Sequence, residues 1–312
     1  MKVIDHINQS TKPSFSYEIL PPKKGDNIRQ VFDIISKIKP LNPAWINVTS
    51  HASSLIYKED INGKISKKIH KKRHGTIGIC GVIQNKFAID AVAHLLCQGF
   101  SKEETENTLI ELNYLGIENV LALKGDNLNY NKEIVKEKSI NTYSKDLVTQ
   151  INNMQKGQFL DETEYEPLKF CIGVAGYPEK HIEAPNMEAD IHYLKQKVDA
   201  GAEYIITQMF FDNSKYYAFV NACKAHGINV PIIPGLKLIK SIKQVQSIPK
   251  LFNIDLPHDL VTELHKYPDS GIEIGKTWAT VQIQDLLKNN FNNLHFFLMN
   301  DVEHIVDIIQ TF

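Results

Sequence analysis

The chain carries FCIGV at residues 170–174, EADIHYLKQKVDAG at residues 188–201 and YIIT at residues 204–207. The first and third runs have the length and β-rich composition of buried strands. In the middle run, apolar residues recur at helical spacing, and Gly201 supplies a helix stop. A strand, a helix and a second strand in this order predict a parallel pair joined by a right-handed crossover.

The same alternation extends over the whole chain. Residues 101–104 (SKEE) form a capping box that starts one of the intervening helices, and Gly116 ends it. Eight units of this kind predict a closed (β/α)8 TIM barrel rather than an open sheet. Because about 250 residues is typical of that barrel, extra helices are expected, mainly over residues 249–287. The eight strand-like runs are residues 15–20, 45–49, 90–96, 119–123, 170–174, 204–207, 232–234 and 295–298.

Composition excludes several classes of function. The 312 residues carry a formal net charge of −1, so no electrostatic argument favours nucleic acid as a partner. No apolar run approaches the roughly 20 residues that span a bilayer, so no membrane association is expected. Four widely spaced cysteines fit a reducing compartment, and the protein is expected to be cytoplasmic. No linker divides residues 1–312, which predicts a single catalytic barrel domain.

Several familiar site motifs are absent from the sequence. There is no GxGxxG after the first strand and no GxxxxGK[ST], so the usual Rossmann and P-loop signals are missing. The twelve histidines form neither HxH nor HExxH, and no metal site is expected. Residues 67–74 (KKIHKKRH) are interpreted as a solvated basic helix face.

Polar residues within or just after the predicted strands are candidates for chemistry. Glu18 lies inside an apolar strand, so its carboxyl is expected to be paired, directed at a cavity or protonated. A raised pKa would make Glu18 a general acid usable near neutral pH. Thr49, Asp126 and Gln208 each follow a strand, and together with Glu18 they would converge on the carboxyl-terminal mouth of a barrel. These residues alone do not name a reaction.

The basic residues set limits on ligand binding. Arg29 and Arg73 are the only arginines, so a phosphate must be held by lysine, histidine, hydroxyls or backbone amides. Lys124 and Lys237 lie near the fourth and seventh barrel strands, where a lysine could form a Schiff base. A surface or phosphate-binding role is the preferred interpretation of both.

Ordered sequence blocks resemble the methylenetetrahydrofolate reductase family. Residues 15–22 (FSYEILPP) resemble the FEFFPP opening of that family. Residues 172–181 (IGVAGYPEKH) and 194–212 (LKQKVDAGAEYIITQMFFD) match long and specific family blocks. The resemblance runs from residue 15 to about residue 300. Shorter matches in the same order are NVT at 47–49 with His51, AHL at 93–95, ALKGD at 122–126, Glu183 with Ala184, and IIPG at 232–235.

The resemblance implies a (β/α)8 barrel that binds FAD at the carboxyl-terminal face without a Rossmann fold. The implied reaction reduces 5,10-methylenetetrahydrofolate to 5-methyltetrahydrofolate and feeds methyl groups to methionine synthesis. NADH or NADPH gives a hydride to the flavin and leaves, and folate then takes it in a ping-pong scheme. The resemblance is to bacterial members that consist of the catalytic barrel alone, and it implies a homo-oligomer.

The resemblance also assigns roles to residues. Glu18 would be the general acid that assists opening of the five-membered folate ring. Asp126 would hydrogen-bond the pterin beside the flavin, Gln208 would bind the pterin amide edge and touch the nicotinamide, and Gln244 would contact folate. The implied FAD-binding residues are Thr49, Ser50, Ala52, His94, Lys124, Gly125, Asp126, Tyr143, Ser144, Tyr177, His181, Ala184, Asp190 and Lys197.

Two departures from the family pattern concern charge. Lys124 stands where many bacterial members have arginine. Lysine keeps the positive charge but lacks the forked guanidinium group of arginine. Asp301 stands where the pattern has a folate-contacting arginine, which predicts altered binding of folate or of its glutamate tail. Two alternatives stay open: a flavin-free barrel lyase or aldolase using Lys124 or Lys237, and a folate- or flavin-binding protein that needs a partner subunit.

Overall fold

The computed structural model describes residues 1–125, 139–299 and 302–312. Eight of its strands close into a barrel in the order β1-β10-β9-β8-β7-β6-β5-β2, and neighbouring barrel strands pair in parallel. This confirms the predicted barrel. The strands are β1 (Ser14–Ile19), β2 (Ile46–Val48), β3 (Ser54–Glu59), β4 (Ile65–His70), β5 (Ala91–Leu96), β6 (Asn119–Leu123), β7 (Cys171–Gly176), β8 (Tyr204–Met209), β9 (Ile232–Leu236) and β10 (Asn293–Met299).

Helices alternate with the barrel strands, and the expected excess of helix lies between β9 and β10. In the described part of the chain, no helix is both long and apolar enough to cross a membrane. The helices are α1 (Val3–Gln9), α2 (Arg29–Ile38), α3 (Thr76–Phe87), α4 (Lys102–Tyr114), α5 (Ser144–Met154), α6 (Met187–Asp199), α7 (Asn213–Ala225), α8 (Ile242–Phe252), α9 (His258–Lys266), α10 (Gly271–Lys288) and α11 (Glu303–Ile309), with short 3-10 helices at Lys39–Leu41 and Pro268–Ser270.

Local sequence signals set the helix ends. At the start of α4, the backbone amide of Glu104 donates to Ser101 Oγ at 3.1 Å. The backbone amide of Ser101 in turn donates to Glu104 Oε2 at 2.9 Å. Beyond the other end of this helix, Gly116 has φ +70°, a left-handed conformation that glycine adopts without strain. The predicted capping box and stop are both confirmed.

The core has an inner and an outer layer. The larger cluster of buried apolar residues packs the helices against the outside of the barrel. Helix α1 covers the amino-terminal end of the barrel, where Val3 is fully buried and its amide donates to Asn119 Oδ1 at 2.8 Å. The barrel is therefore filled and closed at one end and offers its other end to ligands. The inner cluster consists of Val3, Trp45, Val92, Leu121, Cys171, Tyr204, Ile206 and Ile233.

The prediction of a helix face over residues 67–74 is wrong. Strands β3 and β4 pair in an antiparallel hairpin that stands outside the barrel. Its turn contains Asn62 and Gly63, and Gly63 has φ +76°. An Asn-Gly pair between alternating apolar residues is a strong hairpin signal, and it outweighs the basic composition of the segment.

Candidate active site at the carboxyl-terminal mouth of the barrel

The carboxyl-terminal ends of the barrel strands bring several predicted residues to one mouth. Glu18 lies near the end of β1, Thr49 follows β2, and Gln208 lies near the end of β8. Gln208 is half-buried, and its Oε1 accepts from the Met209 amide at 2.9 Å. Asp126, the fourth member of the predicted set, lies outside the described residues.

Glu18 sits in an environment that keeps its carboxyl protonated. Its side chain is 14% exposed, and its Oε2 lies 3.6 Å from His94 Nε2. Burial raises the pKa of Glu18 to about 8, and the charge of Lys237 acts in the opposite direction. At neutral pH the group therefore holds a proton that it can donate.

The histidines near Glu18 are neutral. Burial lowers the pKa of His94 to about 3 and that of His295 to about 3. His94 Nε2 lies 3.1 Å from Asn47 Nδ2, and His295 Nδ1 lies 2.8 Å from Ser16 Oγ. These polar side chains place hydrogen-bonding groups, without charge, inside the upper barrel.

A cavity of about 370 Å³ adjoins the mouth beside β6 and β7. It collects eight of the fourteen residues implied for FAD binding, although they come from distant parts of the sequence. Its aromatic wall includes Tyr177 and His181, whose ring centroids are 4.6 Å apart. The eight residues are Lys124, Tyr143, Ser144, Tyr177, His181, Ala184, Asp190 and Lys197.

The cavity carries both signs of charge. Lys124 pairs with Glu183 and lies 5.4 Å from the centroid of the Tyr143 ring. Lys197 donates to the Ala175 carbonyl at 3.1 Å, and burial lowers its pKa. Asp190 accepts from the His181 amide at 2.8 Å. The two lysines can neutralise a bound phosphate without the forked geometry of arginine.

Other predicted residues lie around this cavity or apart from it. Ser50 and His94 line a second cavity of about 150 Å³ beside β5. Gly125 directly follows Lys124 and has φ +93°. Ala52 lies in the loop before β3. Gln244 lies in the first turn of α8, where its Oε1 accepts from the Lys240 amide at 2.8 Å.

The surface interpretation of Lys237 is wrong, because this side chain is only 5% exposed. Ser16 and His295 are further polar groups inside the barrel that the sequence analysis did not select. Ser16 and Glu18 are two residues apart on one strand, and side chains at that spacing share a face. That alternation was the signal that could have found Ser16.

No group of three or more histidine, cysteine or acidic side chains suited to a metal ion occurs among residues 1–125, 139–299 and 302–312. The described side chains at the mouth include a protonated carboxyl, two neutral histidines, amides and lysines. That set can donate a proton and can hold a ligand carrying phosphate and aromatic groups.

Comparison with known proteins agrees with the earlier resemblance. A family model described as methylenetetrahydrofolate reductase matches residues 2–312. Methylenetetrahydrofolate reductase 1 of Schizosaccharomyces pombe is 31% identical over 99% of this chain and 48% of its own length. The 5,10-methylenetetrahydrofolate reductase of Buchnera aphidicola is 30% identical and is covered over 95% of its length.

The extent of these matches differs between relatives. The chain spans about half the length of the first curated relatives that it matches, from fission yeast and Arabidopsis thaliana. Among solved structures, an uncharacterized Clostridium thermocellum protein that binds two copies of 5-methyl-5,6,7,8-tetrahydrofolic acid aligns with a TM-score of 0.59. At 13% identity, with 100% of this chain and 98% of that protein covered, this likeness shows the fold alone.

Proposed function

This chain belongs to the methylenetetrahydrofolate reductase family, and we propose that it reduces 5,10-methylenetetrahydrofolate to 5-methyltetrahydrofolate with FAD and a nicotinamide. The main support within the structure is Glu18, an acid that stays protonated near neutral pH at the mouth of the barrel. Opening the five-membered ring of the substrate requires a proton on the departing amine. A carboxyl with a pKa of about 8 holds that proton where an ordinary glutamate has lost it.

The residues of the larger cavity fit FAD chemically. Lys124 and Lys197 supply positive charge for a diphosphate, and the rings of Tyr143 and Tyr177 supply apolar faces. Gly125, next to Lys124, has a positive φ of +93°, a backbone conformation that glycine adopts without strain. When bound, FAD takes a hydride from the nicotinamide and gives it to the folate.

Substrate recognition would fall to amide side chains. Gln208 offers both a donor and an acceptor, which matches the amide edge of a pterin. Gln244 would contact folate from α8. Asp126, outside the described residues, would complete the set as the hydrogen-bond partner of the pterin. Glu18 would then give its proton to the substrate amine while the neutral His94 stays beside it at 3.6 Å.

The decisive experiment is the anaerobic visible spectrum of the purified protein with FAD. We expect a yellow protein that bleaches with NADH or NADPH and recovers its colour when 5,10-methylenetetrahydrofolate is added. Glu18→Gln should still bleach with the nicotinamide but recover its colour at least about 100-fold more slowly, because the acid is lost. The exposed Glu111→Gln is the matched control and should behave as the unmodified chain.

Each alternative gives a different spectrum. A colourless protein, even after incubation with FAD, contradicts the flavin-dependent function, and trapping of a substrate on lysine by borohydride would then indicate a lyase or aldolase. A yellow protein that neither nicotinamide bleaches indicates a flavoprotein that needs a partner subunit. Equal loss of both half-reactions in Glu18→Gln contradicts the role of Glu18 as the acid.

A further inference from the structure

Lys237 is a buried cation at the mouth of the barrel. It directly follows β9, its residue is 5% exposed, and its Nζ donates to the Phe297 carbonyl at 3.2 Å. A buried ammonium loses the solvation of water, so its charge is expected to act strongly on nearby ionisable groups.

Strand register brings Lys237 level with Glu18. On one side of β10, Glu18 pairs with Phe297. On the other side, Phe296 pairs with Leu236, so the next residues, Phe297 and Lys237, continue the same level. In a (β/α)8 barrel, alternate strands send their side chains inward in one layer. Strands β1 and β9 stand on either side of β10, and register partners direct their side chains to the same face of a sheet, so the ammonium and the carboxyl both face the barrel interior.

Among the described residues, the two buried histidines near Glu18 carry no charge at neutral pH. His94 approaches from β5 at 3.6 Å, and His295 lies on the neighbouring strand β10. Both are buried with pKa values of about 3, so both are neutral imidazoles. Asn47 from β2 contacts His94, and its amide cannot ionise. Lys237 is the cation whose charge lowers the pKa of Glu18 against the effect of burial.

We propose that Lys237 is a positioning residue for Glu18, whose ammonium stabilises the carboxylate that remains after the acid has given its proton to the substrate. This role rests on the proposed function. In the step, the proton leaves a Glu18 oxygen and bonds to the departing amine nitrogen, while Lys237 keeps all of its protons. Solvent later returns a proton to the carboxylate.

The test compares two neutral variants, Lys237→Met and Lys237→Gln, with the charged variant Lys237→Arg. The control is Lys250→Met, which removes an exposed lysine from α8. The first readout is the protonation of the Glu18 carboxyl. It is monitored by infrared difference spectroscopy from pH 5 to pH 10 in protein without folate. The Glu18→Gln variant identifies the band. The second readout is the rate of flavin reoxidation by 5,10-methylenetetrahydrofolate over the same pH range.

The neutral variants should move the Glu18 titration and the alkaline limb of the rate upward by about one pH unit. At pH 9 they should therefore retain roughly fivefold more of their maximal rate than the unmodified chain does, because more of the acid stays protonated. Lys237→Arg should restore the original titration, and Lys250→Met should leave it unchanged.

Failure of the inference about Lys237 and failure of the proposed function give different results. If the neutral variants titrate as the unmodified chain does, Lys237 does not act on Glu18 and the inference is overturned. If the unmodified chain shows no folate-dependent reoxidation, the proposed function fails, and the infrared titration still decides whether Lys237 acts on the carboxyl. Should one neutral variant fail to fold, the other provides the comparison.

Discussion

Glu18 keeps a proton at pH values where an exposed glutamate has lost it. Its carboxyl is largely removed from water, and the His94 ring 3.6 Å away is neutral. Lys237 offsets only part of the cost of burial, so the pKa rises to about 8. Burial of this carboxyl lowers the free energy of unfolding by an amount that depends on pH. Denaturation measures that amount without any ligand.

We expect Glu18→Gln to stabilise the fold increasingly as pH rises. The carboxyl ionises with a pKa near 4.5 when unfolded and about 8 when folded, so the unmodified protein loses stability between these values. The free energy of unfolding of the variant, relative to the unmodified chain, should gain up to about 4 kcal/mol over that window. Denaturant titrations at pH 4.5 and pH 8.5 measure it.

The exposed Glu111→Gln provides the control, since its carboxyl has no such environment. Its effect on the free energy of unfolding should be the same at both pH values. A Glu18→Gln effect that is equally independent of pH would mean that Glu18 ionises normally in the folded protein.

At the scale of elements, β9 is held by close backbone contact. A Cβ atom added at Gly235 would lie 2.2 Å from the Thr207 carbonyl oxygen of β8 and 2.7 Å from the Phe297 ring of β10. The Gly235 amide also donates to Thr207 Oγ1 at 2.9 Å. Only glycine lets β9 fit between these two strands, and the position of Lys237 depends on that fit.

We expect Gly235→Ala to lower the free energy of unfolding by about 2 kcal/mol or more, because backbone and an aromatic ring must move. Gly78→Ala is the matched control. Gly78 lies exposed within α3, and no atom lies within 4 Å of an added Cβ, so alanine there should stabilise by roughly 0.5–1 kcal/mol. Guanidinium denaturation of both variants checks this, and equal effects would contradict the close packing of β9.

At the scale of the whole molecule, α1 closes the end of the barrel opposite the site. Val3 joins the inner core, and the carboxylate of Asp90 accepts from the Met1 amino group at 2.6 Å and lies 2.7 Å from His6 Nε2. Asn119, at the start of β6, contacts the backbone of both Met1 and Val3. The seven-residue helix is therefore part of the barrel core rather than a surface appendage.

Val3→Ala should lower the free energy of unfolding by about 1–3 kcal/mol, since the methyl groups lost are fully buried. Asn8→Ala, at an exposed position on the same helix, should change it by less than about 0.5 kcal/mol. Thermal and denaturant unfolding of both variants decide the matter. Similar small effects in both would mean that α1 does not complete the inner core.

Several expectations at this scale stay predictions. Self-association, a cytoplasmic location and a single catalytic domain follow from the composition or the family resemblance, and nothing in the described residues tests them. The effect of Asp301 on folate binding also stays a prediction, because residues 300 and 301 lie outside the described part of the chain.

The sequence by itself determined the order of strands and helices, because alternating apolar periodicity, capping residues and glycine stops are local signals. It also identified Glu18 as a candidate acid, since a carboxyl within an apolar strand is unusual in any fold. It did not reveal the hairpin of β3 and β4, although Asn62 and Gly63 marked its turn.

Only the tertiary structure decided the charge state of the site. The pKa of Glu18 depends on burial and on the charge of Lys237, which is distant from Glu18 in sequence. Lysines in exposed and buried positions look alike in a sequence, because burial follows from barrel closure rather than from neighbouring residues. Closure brought Lys237 and Glu18 to one level, and desolvation there set the proton affinity of the acid.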